Sequence, residues 1–371
     1  MSAAATATGR EVRSAAGREV RTATGATAAR VRYVALVAGL VGALLMALAL
    51  AVSFGSVRIP LGDVWAIVGH RVSGGAFEPW WSPVRERIVL DSRLPRALTA
   101  AVVGAALALG GALAQAVTRN PLADPYLLGV SSGAGFGVVV VTVLGVGAGA
   151  LGAFTLPVAA FLGAMVPLFA ALAIGGRHQN VTGVVLVGVA MAQVFSALTM
   201  FVLLVIADER QLSAVLRWLT GGFGDARWST LWWPAITLAV VGVVSMASAR
   251  WLDLLHAGDD GAAALGMNVR RFRVLVLLGV SVLAGAAVAV AGGIGFVGLL
   301  VPHVAGFLVG LGAARLLPVA ALLGAVVLVL ADLAARAVSA STELPVGVVT
   351  ALVGAPVFVV MLIRQYRRTE S

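Results

Sequence analysis

Gly129-Val130-Ser131-Ser132-Gly133 fits G-x-S-x-G, the pattern in which a strained strand-to-helix turn presents a nucleophilic serine. Paired with His303, it would make the chain an intramembrane serine hydrolase. The pattern needs a strand before its turn, and here apolar runs of helical length lie on both sides. Ser131 and Ser132 therefore read as groups satisfying backbone near a helix start, and no catalytic residue is assigned. His70, His178, His256 and His303 are scattered without ligand spacing, so no metal site is assigned. His303, beside Pro302, reads as a hydrogen-bonded histidine at a kink rather than a ligand for iron or haem. All 26 basic residues are arginine. A P-loop needs its lysine at the phosphates, so the chain carries no Walker-type ATPase, and Schiff-base chemistry is excluded with it. The absence of cysteine removes disulfides, iron–sulfur clusters and thiolate metal sites. Asp332 and Arg336 stand i,i+4 within an apolar run, where unpaired charge is costly. They read as a structural ion pair, with Glu343 a candidate third member, or as a gating element. Asp332 is also the one acid that proton-coupled secondary transport could use.

The elements that hold these residues are apolar. Of 371 residues, 60% are hydrophobic and 11% charged, and the mean hydropathy is +1.03. Soluble domains carry about 45–50% apolar and about 25% charged residues, so a soluble enzyme is excluded. At about 20 residues per membrane helix the length holds roughly ten spans. Apolar runs recur near 33–53, 94–117, 126–148, 154–175, 183–206, 230–248, 272–291, 296–311, 316–338 and 346–363. An even number puts both termini on one side. Sixteen arginines fall on that side and nine on the other, which makes the termini cytoplasmic. Orientation thus accounts for the net charge of +10, and no nucleic-acid partner is needed. The 45 glycines suit close approach of membrane helices. Residues 1–30, rich in Ala, Thr, Gly and Arg, are expected to form a disordered cytoplasmic tail. The first apolar run reads as an uncleaved signal anchor. The membrane domain covers 31–366, and 367–371 form a short cytoplasmic tail.

Three segments between spans are more than turns. Residues 54–92 and 207–229 lie outside and carry Trp80-Trp81, Trp218 and Trp228. Residues 249–271 lie inside and are too polar to span. There the spacing predicts two short helices: Trp251–Ala257 runs into Gly258, a helix terminator, and Asp259 caps a second helix that ends at Gly266. Interfacial helices are usually basic, whereas this segment carries Asp253, Asp259 and Asp260, which favours docking on a protein over docking on lipid. Leu255 and Leu265 supply apolar anchors. The other inner loop, Arg119-Asn120-Pro121-Leu122-Ala123-Asp124-Pro125, has two X-Pro steps four residues apart, which predict a rigid extended turn.

Arg93-Leu94-Pro95-Arg96, a span ending at Gln115, and then that stretch, continued through Tyr126-Leu127-Leu128-Gly129-Val130-Ser131-Ser132-Gly133-Ala134, together closely resemble the FecCD family, permeases of bacterial importers for iron–siderophores, haem and cobalamin. Three further segments resemble the family's motifs in order: 257–266 its cytoplasmic LG-acidic-xxAxxLG segment, 291–303 its GxIxFVGLxxPH signature, and Glu343-Leu344-Pro345-Val346-Gly347 with Gly354-Ala355-Pro356 its ending. The chain departs from the pattern at Ala257, at Gly306 and in the loop 309–315. The resemblance implies an all-α membrane protein of about ten helices in two inverted five-helix halves. It implies a permease subunit that moves its cargo by alternating access, an iron–siderophore first, then haem or cobalamin. The implied partners are a second permease, identical or related, two cytoplasmic ATPases that use ATP and magnesium, and an outer substrate-binding protein; this chain itself needs no cofactor. Coupling to the ATPase would fall to Leu255, Gly258, Asp259, Asp260, Ala262, Leu265 and Gly266. The inner loop would contribute Arg119, Asn120, Pro121, Asp124 and Pro125. The gate and path would use Asn180, Thr182, Pro302 and His303, and Arg58 would meet the binding protein.

Overall fold

The computed structural model describes residues 3–55, 59–76, 78–175, 181–338 and 343–369, and the surroundings of their side chains except at 3–27, 181, 257 and 364–369. Fifteen α-helices follow one another, with no strand among the described residues: α1 Ala3–Ser53, α2 Leu61–Val72, α3 Pro83–Arg87, α4 Leu94–Thr118, α5 Val130–Thr142, α6 Thr155–Gly175, α7 Val181–Val205, α8 Glu209–Leu219, α9 Trp228–Ala247, α10 Ala249–Leu254, α11 Asp259–Ala264, α12 Val269–Ala291, α13 Val297–Val309, α14 Ala313–Val338 and α15 Val346–Thr369. Eight stretches are long and apolar enough to cross a membrane, and α5 and α13 are shorter apolar helices. Together they occupy the ten runs read from the sequence.

The two short helices have 13 residues each, or about 20 Å at 1.5 Å per residue, against a hydrocarbon core of about 30 Å. Irregular backbone precedes both, and at membrane depth such backbone must be buried in protein. It is. Pro125 packs on Gly110 and Gly298, and Gln115 of α4 donates to the carbonyls of Ala123 (3.4 Å) and Leu299 (3.0 Å). The short helices are the third and eighth spans, equivalent positions in two five-helix halves. The pairings repeat the same relation: α4 packs on α14 as α12 packs on α6, and α5 on α6 as α13 on α14. Such repetition is the signature of an internal repeat.

The center of the bundle is α4 and α12, the most buried spans, while α1, α7 and α15 are among the least. Small residues permit this packing: a Cβ at Gly104 would strike the Gly324 carbonyl of α14, and one at Gly111 the Gly298 carbonyl of α13. The helix that forms the first span starts at Ala3, within the segment that composition reads as a disordered tail. Ala, Arg and Glu are strong helix formers, and no proline precedes Pro60 to break the run.

Candidate functional site

The inner segment folds as two short helices joined by a 3₁₀ turn, Leu255–Ala257. Gly258 and Gly266 make its turns at φ 90° and 84°, a region that disfavours any side chain. Leu252, Leu255 and Ala262 are fully buried, Leu255 and Ala262 in a cluster with Val117 and Leu277. Leu255 is thus an anchor to the chain's own bundle, not an outward one. Its position explains the difference: it faces the inner ends of α4 and α12. Leu265, by contrast, is 63% exposed, with Asp260 and Gly266 exposed around it.

Asp259 does not cap α11. Gly258 occupies the cap position with no side-chain bond, because the Asp259 carboxylate is held elsewhere. It accepts from Arg119 at 2.6 Å and from both terminal nitrogens of Arg273 at 2.6 and 2.7 Å. The Arg273 hydrogen bonds, helped by the charge of Arg119, hold its carboxyl below the usual carboxylate range. Two sequence-predicted sites, the inner loop and the docking segment, therefore meet. Asp253 adds a further tie by accepting from the Ala313 amide at 2.8 Å, at the start of α14.

The inner loop is rigid, as its prolines predict, and its polar residues explain how. Asn120 Oδ1 accepts from Leu122 N at 2.9 Å and Asp124 Oδ1 from Tyr126 N at 2.8 Å, two successive side-chain turns. Arg119 ends α4 in the left-handed region at φ 51°. Desolvation pushes the Asp124 carboxyl up to about 6.

The opposite end of α4 holds the ion pair. Arg336 meets Asp332 at 3.1 Å, but Arg96 clasps both oxygens of Asp332 at 2.9 to 3.2 Å and reaches Glu343 at 2.8 Å. Arg336 also donates to the carbonyls of Ala51 and Phe54, and Arg93 to those of Val52 and Ser53. Three terminal carbonyls of α1, and that of Phe54 just beyond it, are thereby satisfied. A cavity of about 600 Å³ opens at this end, lined by Arg96, Arg217, Trp218, Phe223, Arg227 and Glu343.

Along the middle, Ser132 of α5 and Ser196 of α7 share a hydrogen bond of 3.2 Å, so Ser132 bonds a neighbouring helix rather than its own backbone. His303 follows Pro302 within α13 and, among the described residues, has no hydrogen-bond partner; it packs edge-on against Phe307, with ring centres 4.8 Å apart. The i,i+4 spacing in one helix brings the two rings together. Thr182 is exposed near the start of α7. Asn180 and Arg58 lie outside the described residues.

Arg93, Arg96, Gln115 and Arg273 carry no role in the sequence reading. A signal existed for Arg96: a cation in the first turn of a span needs an acid, and Asp332 is the acid within a span. Gln115 and Arg273 gave less, since one polar residue near a span's end is ordinary.

A family model described as the FecCD transport family matches residues 43–364. The chain is 39% identical over 345 residues to the ABC transporter permease protein YvrB of Bacillus subtilis (strain 168), covering 92% of this chain and 96% of that one. It is 39% identical over 307 residues to the vitamin B12 import system permease protein BtuC of Citrobacter koseri, covering 82% and 89%. Among solved structures it is similar to a metal-chelate-type ABC transporter in an inward-facing conformation, with TM-score 0.77, 29% identity, and coverage of 88% and 98%. A match over most of the length, on a ten-helix bundle with two equivalent broken helices, shows that the chain belongs to the FecCD transport family.

Proposed function

We propose that this ABC importer permease moves a bulky metal chelate, an iron–siderophore or a cobalamin, inward by alternating access, driven by separate ATPase subunits. The observation that carries the reading is the inner segment. It is clamped to the bundle by Leu252, Leu255 and Ala262, yet leaves Leu265 63% exposed at the end of a short helix that starts with Asp259 and Asp260. An exposed leucine on a short helix whose first turn is acidic suits a protein groove better than lipid headgroups. The permease pairs with a second copy or a related chain through its least covered helices. There α7 exposes Gln193 and Ser196 at mid-span, where a lipid-facing amide would be costly.

The cargo has two readings. Iron chelates follow from the family resemblance, and the metal-chelate-type structural neighbour agrees with them. Cobalamin is favoured by the vitamin B12 permeases, at 39–40% identity. Proton coupling is disfavoured because Asp332 is held between Arg96 and Arg336. The test is uptake into proteoliposomes holding the permease with its co-purified ATPase. Radiolabelled cobalamin and iron-loaded siderophores are supplied on the appropriate binding protein. Uptake is expected only with ATP. Uptake that ignores ATP and collapses with the proton gradient would replace this reading with secondary transport.

A further inference from the structure

Asp259 stands where three parts of the chain converge. Its carboxylate takes Arg119, the left-handed residue that closes α4, and Arg273, a buried residue in the first turns of α12. The helices α4 and α12 are the second spans of their halves and pack on one another. One carboxylate thus ties equivalent helices of the two halves at the same end of the bundle. It does so from the first residue of α11, whose last turn presents Leu265.

We infer that Asp259 is a positioning residue for energy coupling, holding the outward turn Asp260–Gly266 in register with α4 and α12, so that a load on that turn moves both central spans together. The inference rests on the importer reading above. The Arg119 half of the tie contributes little to stability, because Arg119 and Asp259 keep 41% and 46% of their side-chain surface exposed and water screens such pairs. The segment is anchored instead by its buried Leu252, Leu255 and Ala262. What the carboxylate sets is alignment. Without its charge, Arg119 and Arg273 converge as like charges, and the tie becomes a repulsion. An asparagine keeps an acceptor for Arg273 while removing that charge.

The test compares cargo taken up per ATP hydrolysed in proteoliposomes holding the assembled complex. Asp259→Asn is expected to lower this ratio by about fivefold or more, the scale of an ordinary coupling between sites. Asp259→Glu should retain most of it, and Arg119→Gln combined with Asp259→Asn should cost no more than Asp259→Asn alone. Co-purification of the ATPase should match wild type, and the ratios are compared at a temperature where every variant stays folded. A wild-type ratio in Asp259→Asn overturns the inference. So does loss of the ATPase, because it makes Asp259 a docking residue, and so does a fall for Asp259→Glu as large as that for Asp259→Asn, because it makes the charge irrelevant. Failure of the wild-type complex to show ATP-driven uptake would instead defeat the importer reading, before any variant is compared.

Discussion

Arg96 is the principal counter-ion of Asp332, although Arg336 is the arginine one turn away. Asp332 is fully buried, and Arg96 meets it through two nitrogens while Arg336 spends its other donors on the carbonyl end of α1. Breaking a buried pair from one side costs roughly 3–5 kcal/mol, because it strands the other charge. Arg96→Ala is therefore expected to lower the melting temperature in detergent sharply. Glu343→Gln, whose carboxylate keeps 58% of its surface exposed, should cost about 1 kcal/mol or less. Equal losses in the two variants would show that Arg336 carries Asp332 alone. Asp124 gives a pH dependence of known sign. Its carboxyl titrates at about 6 in the fold against an ordinary 3.8, so the folded chain holds the proton more tightly than the unfolded one. Stability from this group is present at acid pH and falls as pH rises from about 4 to 6. Asp124→Asn keeps the acceptor for Tyr126 N and removes the titration. Wild type should lose melting temperature over that interval relative to the variant, and parallel curves would contradict the assignment.

At the scale of elements, the inner segment separates two leucines that look alike in sequence. Leu265→Asp changes an exposed position and should leave stability within about 0.5 kcal/mol, while cargo-stimulated ATP hydrolysis by the complex falls. Leu255→Asp puts a carboxylate among buried apolar groups and should prevent stable folding. If Leu265→Asp retains full stimulation, the docking surface lies elsewhere on the inner face. The sequence could separate the segment from the spans by polarity and could place its turns at Gly258 and Gly266, because glycine and hydropathy are local signals. It could not say which leucine turns inward, since α10 and α11 have only six residues each, too few for periodicity to define a face. The same limit hid the role of Asp259. An aspartate after a glycine reads as a cap, and only the fold brings Arg119, 140 positions away, to its side. The broken third and eighth spans were half legible. The Asn-Pro and Asp-Pro steps before the third span mark irregular backbone, while no such step precedes the eighth, and the reason for each glycine is a contact across the bundle. A Cβ on Gly298 would collide with Pro125, and one on Gly354 would meet the Phe296 ring at 2.8 Å. Close approaches of this kind are long-range facts with no local pattern.

Across the whole molecule, α4 links polar clusters at its two ends: Arg96 lies in its first turn and Arg119 just past its last, about 35 Å apart at 1.5 Å per residue. The core around α4 is close-packed by alanine, valine, leucine and glycine, so on the importer reading the cargo would follow a face that the single chain leaves uncovered, and the faces of α7 and α15 are candidates by exposure. Chemistry separates them from a lipid-facing helix. The uncovered side of α7 carries Thr182, Gln193 and Ser196 among its apolar residues, and Ser132 of α5 joins Ser196. The uncovered side of α9 around Val240, Val243 and Val244 is wholly apolar there. A bilayer leaves an amide without partners, whereas a water-filled path between two permeases satisfies it. The absence of native cysteine makes the distinction measurable without background. Thiol reagents attack the thiolate, which forms in water and not in hydrocarbon. Gln193→Cys and Ser196→Cys in the assembled, membrane-embedded importer should therefore react with a small, charged, water-soluble maleimide, and Val243→Cys should not. Bound cargo should slow the first two reactions and leave the third unchanged. No labelling at Gln193→Cys in every nucleotide state would place α7 against lipid and move the path to α15, and equal labelling at all three positions would show that water reaches α9 as well and that polarity does not mark the path.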